Sequence, residues 1–168
     1  RFVNSESFFW YFEKNISNPD SKSSFYDYGF ENWICDENRY NNREYKLIFD
    51  SLFSQLFDLT KRKNIHRCRF DMTTYSPVKY KHRAHVDDFV DHLVSILYFS
   101  DTDAETIIYE NRCYSKEEYY NYDFNSLKVL KSVEPKQNRM LLFDGRRLHT
   151  GHSPSDCVNR ILLNTNLT

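Results

Sequence analysis

The sequence predicts a mainly β domain with flanking helices: a double-stranded β-helix, or jelly roll, with one N-terminal helix packed on its major sheet. Three observations predict it. Short apolar runs of four to eight residues, each closed by turn residues, recur from His66 onward, as in a sandwich or barrel. One long stretch, Asn42 to Lys63, instead repeats its apolar residues at helical spacing. The chain has 168 residues, one domain's worth, enough to bury about 70% of its unfolded surface.

Taken in order, residues 1–64 read as an N-terminal helical support and 65–168 as the β core, with an insertion near 101–126. Phe8-Phe9-Trp10-Tyr11-Phe12 reads as core or as a short helix packed on the sheet, and Ser17 to Ser24 as a polar loop. In the helix, Tyr45, Ile48, Phe49, Leu52, Phe53, Leu56 and Phe57 form one stripe, which buttresses the outer face of the sheet. Asn41 or Asn42 would cap its start, and Lys61-Arg62-Lys63 complement the carboxyl end of its dipole. His66 to Ser76 reads as a strand with Cys68, Phe70, Met72 and Thr74 on one face, followed by an apolar strand from Leu93 to Ser100. Glu105 to Asn111 and Leu127 to Val133 are strands separated by the Tyr-rich segment Tyr114 to Asp123, a candidate lid. Arg139 to Asp144 precedes the turn at Gly145, and Ile161-Leu162-Leu163 forms the last run. Antiparallel sheets coiled as a jelly roll bring such distant runs together.

The chemistry lies in His85-Val86-Asp87, followed by His149 and Arg160. In an extended segment alternate side chains share a face, so His85 and Asp87 point the same way. A second strand then need supply only His149. Two histidines and a carboxylate on one side of a metal leave the other side open, as in non-haem Fe(II) oxygenases. An HxD triplet alone is weak; its combination with His149 and Arg160 is the signal.

These residues resemble the 2-oxoglutarate- and Fe(II)-dependent oxygenases, in particular the prolyl-4-hydroxylase-like branch, over roughly Arg67 to Asn166. The most specific stretch is Val133-Glu134-Pro135-Lys136-Gln137-Asn138-Arg139-Met140-Leu141-Leu142-Phe143-Asp144-Gly145, then Arg146-Arg147-Leu148-His149. It is similar to the family's V-x-P-x-x-G-R-hydrophobic-Phe-Asp strand and turn leading into the distal histidine. The resemblance implies His85, Asp87 and His149 as iron ligands and Arg160 as the partner of the distal carboxylate of 2-oxoglutarate. An arginine's planar fork grips a carboxylate bidentately and keeps its charge. It also implies dioxygen as co-substrate, hydroxylation of a C–H bond as the outcome, and succinate and carbon dioxide as products. The substrate is left open among a peptidyl residue, an amino acid and a small metabolite.

The chain departs from the family pattern in three places. Asn138 stands where glycine is usual, a mild change because Asn tolerates a left-handed turn. Asp103-Ala104-Glu105-Thr106 replaces a Gly-Gly-x-Thr segment. The family's Tyr-x-x-Gly step is missing, which makes Tyr75 the nearest phenol for the co-substrate and Tyr80 the other option. Asp87 is retained, which disfavours the halogenating relatives that lose this ligand.

The remaining polar residues have plainer readings. His66, His82, His92 and His152 read as hydrogen-bonded structural histidines, and Asp88 and Asp91 as solvated or capping. Arg146 and Arg147 form a solvated turn or meet an anionic substrate. The net charge of −1 gives no general pull toward nucleic acid, and no apolar run approaches the twenty residues of a membrane span. The start does not read as a signal peptide. Cys35, Cys68, Cys113 and Cys157 are scattered without a CxxC, so they indicate neither a zinc site nor a disulfide framework and fit a cytoplasmic protein. Aromatics at 17% with only three glycines put Phe and Tyr into much of the core. Two other classes fit the same residues: a cupin-like metal-binding jelly roll without oxygenase activity, in which Arg160 has no obvious role, and a noncatalytic binding module.

Overall fold

The structure is a computed structural model that describes residues 8–16, 25–41 and 43–168. Two antiparallel sheets face each other. The larger runs β1-β2-β4-β10-β5-β8, with the short β3 (Arg39–Tyr40) paired to β2. Its strands are β1 (Tyr11–Lys14), β2 (Tyr28–Asp36), β4 (Ile65–Thr74), β5 (Leu93–Tyr98), β8 (Met140–Asp144) and β10 (Asn159–Leu167). The smaller is β7 (Val129–Val133), β6 (Thr106–Arg112) and β9 (Arg147–Thr150). Residues 81–85 extend it through bridges from Lys81 to His152 and from His85 to His149. The expected jelly roll is present.

The expected helix is α1, Arg43–Thr60, and its apolar stripe packs on the major sheet. Phe49, Phe53 and Leu56 join Ile34, Cys68, Phe70, Ile161 and Leu163 in the main core. The helix stops before Lys63 because Lys61 takes a left-handed φ of 60°, a conformation an α-helix cannot continue through. Asn41 donates to the Trp33 carbonyl at 2.6 Å instead of capping the helix. Asn42 and the expected loop over Ser17 to Ser24 lie outside the described residues.

The segment before the helix differs from the helical support expected there. Tyr11–Lys14, Tyr28–Asp36 and Arg39–Tyr40 form β1, β2 and β3 and extend the major sheet. Aromatic side chains suit a half-buried pleated surface, and cross-strand aromatic pairs stabilise one. Phe12 meets Phe30 across the β1–β2 pair at 5.7 Å between ring centroids, while Phe8 and Trp10 pack against Phe70.

Alternation along β4 and β10 divides the major sheet. Phe70, Cys68, Ile161 and Leu163 face the helix. Arg69, Asp71, Thr73, Arg160, Leu162 and Asn164 line the cavity between the sheets. The register places Arg160 opposite Thr73, Leu162 opposite Asp71 and Asn164 opposite Arg69. This polar inner face is where the candidate site lies.

Candidate metal centre

His85 and His149 are fixed by backbone pairing. Each donates its N–H to the other's carbonyl at 2.9 Å, which sets their rings 4.6 Å apart. Asp87 completes the group: its Oδ1 lies 3.8 Å from His85 Nε2 and 3.9 Å from His149 Nε2. One ligand atom from each of the three residues falls within 4.8 Å of the others. Both imidazoles point Nδ1 at a main-chain carbonyl two residues back, Arg83 O and Arg147 O, each at 3.1 Å. A carbonyl oxygen only accepts, so Nδ1 carries the proton and Nε2 keeps its lone pair for a cation.

The protonation states suit a cation. Burial, with His85 beside it, lowers the His149 imidazole to about 4, so the ring is neutral at physiological pH. Burial alone would raise the Asp87 carboxyl; Arg67 first, then His149 and His85, hold it well below the usual range. Arg67 reaches Asp87 Oδ1 at 2.9 Å and Asn164 donates to Oδ2 at 3.1 Å. With its amide nitrogen turned to the carboxylate, Asn166 also donates to Oδ2, at 3.0 Å. Two imidazole nitrogens and one anchored anionic oxygen are a donor set that fits a first-row divalent metal.

Arg160 opens into the same cavity, of about 120 Å³. It is 6% exposed, and it donates to Thr106 Oγ1 at 2.7 Å while Tyr98 donates to the same oxygen at 2.7 Å. Its guanidinium lies 5.7 Å from the centre of the Tyr98 ring. Its Nε is buried without a hydrogen-bond partner. A buried donor left unpaired is costly unless a ligand satisfies it. The arrangement offers an acidic ligand one fixed cation and several free N–H groups.

No family model matches the chain, and no curated protein matches it in sequence. Solved structures do match its fold. An oxidoreductase of the 2OG-Fe(II) oxygenase family from Burkholderia pseudomallei superposes with a TM-score of 0.57 at 11% identity, over 83% of this chain and 66% of that one. The viral collagen prolyl hydroxylase of Paramecium Bursaria Chlorella virus-1, solved with 2OG, gives 0.51 at 16% identity over 83% and 78%. A prolyl hydroxylase from Trichoplax adhaerens, solved with a hypoxia inducible factor peptide fragment, gives 0.51 at 14% identity over 83% and 62%. The fold is that of the 2OG-Fe(II) oxygenases. The chain spans less than two thirds of the Burkholderia and Trichoplax proteins.

Other expected residues fall elsewhere. Tyr75 is 53% exposed and does not line the cavity, because the chain leaves β4 at Thr74 and its backbone N–H turns to the Val158 carbonyl. The phenol beside Arg160 is Tyr98, fully buried. Tyr80 packs edge-on against His82. Arg147 donates to the Glu110 carbonyl and Arg146 lies over the Tyr114 ring; neither lines the cavity. His82 does line it, but its nitrogens are taken by Asp27 at 3.0 Å and Ser153 at 3.1 Å. His66 sits between Glu37 and Asp88, His92 bonds Val90 O and His152 bonds Glu105 O. Asp88 also accepts the Phe89 and Val90 N–H groups, and Asp91 pairs with Arg62.

The Tyr-rich insertion carries α2, Lys116–Tyr120, and a 3-10 turn, Phe124–Ser126. It does not cover the cavity. Tyr119 donates to the Ala84 carbonyl at 3.1 Å, and the Arg83 guanidinium lies 4.3 Å from the Phe124 ring centre. The insertion thus braces the segment that carries His85 from behind. Sequence reading missed Arg67, Asn164, Asn166, Thr106 and Tyr98. For β10 the signal was present, since Asn164 and Asn166 share strand parity with Arg160.

Proposed function

We propose that this protein is an Fe(II)- and 2-oxoglutarate-dependent dioxygenase that hydroxylates a C–H bond of its substrate. One observation carries the reading: a buried arginine with an unsatisfied Nε shares a cavity with His85 and His149, which group with Asp87 as three candidate metal ligands. A metal-binding jelly roll without a diacid co-substrate has no use for that guanidinium. Similarity of fold to 2OG-Fe(II) oxygenases supports the same reading.

In this proposal His85, Asp87 and His149 hold the iron through Nε2, Oδ1 and Nε2. When bound, iron, 2-oxoglutarate and dioxygen together supply the oxidising power: one oxygen atom enters the substrate and the other enters succinate as carbon dioxide leaves. The chain's residues orient and exclude. Arg67, Asn164 and Asn166 keep the Asp87 carboxylate ionised and aimed between the rings. Arg83 O and Arg147 O fix the tautomer and tilt of each imidazole. Arg160, set by Thr106 and Tyr98, grips the far carboxylate of 2-oxoglutarate. Phe143 packs edge-on against His149 at 5.0 Å, and Ile96 and Leu162 give the cavity an apolar wall that keeps water from the ion. Among the described residues no helix is long and apolar enough to cross a membrane. All four cysteines are free thiols, which fits a reducing cytoplasm.

The test is anaerobic titration with Fe(II) and then 2-oxoglutarate, followed by admission of air. The expected result is a weak visible charge-transfer band that His85→Ala abolishes, with succinate formed under air. Absence of both band and succinate refutes the assignment.

A further inference from the structure

β4 carries two arginines on the inner face of the major sheet, and they differ in what they touch. Arg69 is neutralised twice, by Glu31 at 2.8 Å and by Asp71 at 2.7 Å. Arg67 has one ion-pair partner among the described residues, and that partner is the carboxylate of the triad: its Nη2 lies 2.9 Å from Asp87 Oδ1. The same oxygen stands 3.8 Å and 3.9 Å from the Nε2 atoms of His85 and His149. The other oxygen, Oδ2, is taken by Asn164 at 3.1 Å and by the turned amide of Asn166 at 3.0 Å. Both of those donors are neutral. The one charged donor to Asp87 therefore falls on the oxygen that a metal must share.

The pair is firmly held. The Asp87 side chain is 2% exposed and that of Arg67 19%, so little water screens it. Arg67 stands opposite Asn166 in register, and the turned Asn166 amide oxygen accepts from Arg67 Nη2 at 3.3 Å. Orienting the carboxylate needs only neutral donors, which Asn164 and Asn166 already supply. The guanidinium adds a permanent positive charge. Hydrogen bonded to a ligand oxygen, it draws electron density from the metal and places a like charge beside it. Both effects weigh more on a ferric than on a ferrous ion, because the repulsion scales with the ion's charge. Hydrogen bonds to ligands and net charge are the levers by which proteins set the potential of bound iron.

We propose that Arg67 raises the reduction potential of the iron and so holds it ferrous, acting through the shared Asp87 oxygen. This rests on reading the triad as an iron site and adds a device that keeps the ion in the state that reacts with dioxygen. Arg67 is a positioning residue, since it works through a ligand and is not one.

The test is a potentiometric titration of the iron-loaded whole chain without 2-oxoglutarate. Dithionite supplies the electron that converts ferric to ferrous ion, ferricyanide removes it, and the ferric electron-spin resonance signal reads the ratio. Arg67→Gln should shift the balance about tenfold or more toward ferric iron, a fall of about 59 mV for one electron. Arg67→Lys, which keeps the charge, should stay near the wild-type midpoint. Where Arg67→Gln fails to fold, Arg67→citrulline keeps the shape and the N–H donors, removes only the charge, and allows the same measurement. An unchanged midpoint in the neutral variant, or a Lys variant whose midpoint falls as far, overturns the proposal. A neutral variant that folds but no longer holds ferrous iron overturns it too, because Arg67 is then a structural partner of Asp87. The two readings fail separately. A midpoint that depends on Arg67, in a protein that gives neither charge-transfer band nor succinate, refutes the oxygenase and keeps the role of Arg67; the band with an unchanged midpoint does the reverse.

Discussion

Replacing Arg160 by Met separates what this residue does for stability from what it does for ligand binding. The guanidinium is 6% exposed, and among the described residues no carboxylate lies within ion-pair distance of it. Its contacts are the Thr106 hydroxyl and the Tyr98 ring. A buried charge without a counterion is a net cost, and an apolar residue of similar volume stabilises by about 1–4 kcal/mol where buried ions have been replaced. Arg160→Met should therefore raise the stability of the ligand-free protein by about 1 kcal/mol or more. Binding moves the other way. Two charge-assisted hydrogen bonds to the far carboxylate, at about 1.5–3 kcal/mol each, make the loss roughly 100-fold or greater in 2-oxoglutarate affinity. At a hundred times its dissociation constant the ligand adds about 2.7 kcal/mol to the native protein; the variant at that concentration should gain almost nothing. Urea unfolding with and without 2-oxoglutarate, with iron present in both, reads both effects. A variant that is less stable when free and still stabilised by 2-oxoglutarate would refute the reasoning, because Arg160 would then be a structural residue.

Four further outcomes are expected. His149 has its pKa lowered from 6.5 to about 4, so between these values the unfolded chain binds more protons than the folded one. Stability of the metal-free protein is then fully present above pH 6.5 and is lost as pH falls through 4, by up to about 3 kcal/mol; urea midpoints at pH 7 and 4.5 should show this slope, and His149→Gln should lack it. Lys61→Gly should stabilise by about 1 kcal/mol in thermal unfolding, because Lys61 holds the left-handed position that ends α1. Gly145→Ala should destabilise by about 2 kcal/mol or more, since a Cβ there falls 2.1 Å from His92 Nε2; adding His92→Ala should recover much of the loss. Phe53→Ala should cost about 3–5 kcal/mol and leave metal affinity unchanged, because Phe53 is 2% exposed on the helix side of the sheet.

What the sequence revealed and what it hid follow from one geometric fact: a strand carries two messages in alternate residues, and a reader tends to hear the apolar one. In β4 the spacing of Cys68, Phe70 and Met72 announced the face that packs under α1. Arg67, Arg69, Asp71 and Thr73 then had to face the other way. Taken alone, polar residues on an alternating strand read as solvent-facing. They face inward here because the helix covers the apolar side and the second sheet covers the polar one. The same holds for β10, where Arg160 was legible by its distance from His149 and Asn164 was not, since an asparagine in a strand has no signature until Asp87 is brought 3.1 Å from it. His85, Asp87 and His149 were legible because metal chemistry restricts donor types and alternation restricts their spacing. Tyr75 misled for the opposite reason. A phenol at the right distance along the chain says nothing about the far side of a sheet, and Tyr98, one strand over from Arg160, fills the place beside the guanidinium. The β1–β3 ribbon was obscured because five consecutive aromatics carry no periodicity, although it is that ribbon which brings Glu13 and Glu31 to the cavity wall. The ligand triad is therefore the local, spacing-encoded part of this site. The rest of the cavity wall is built from strands far apart in sequence, and only the folded register brings its carboxylates and guanidiniums together.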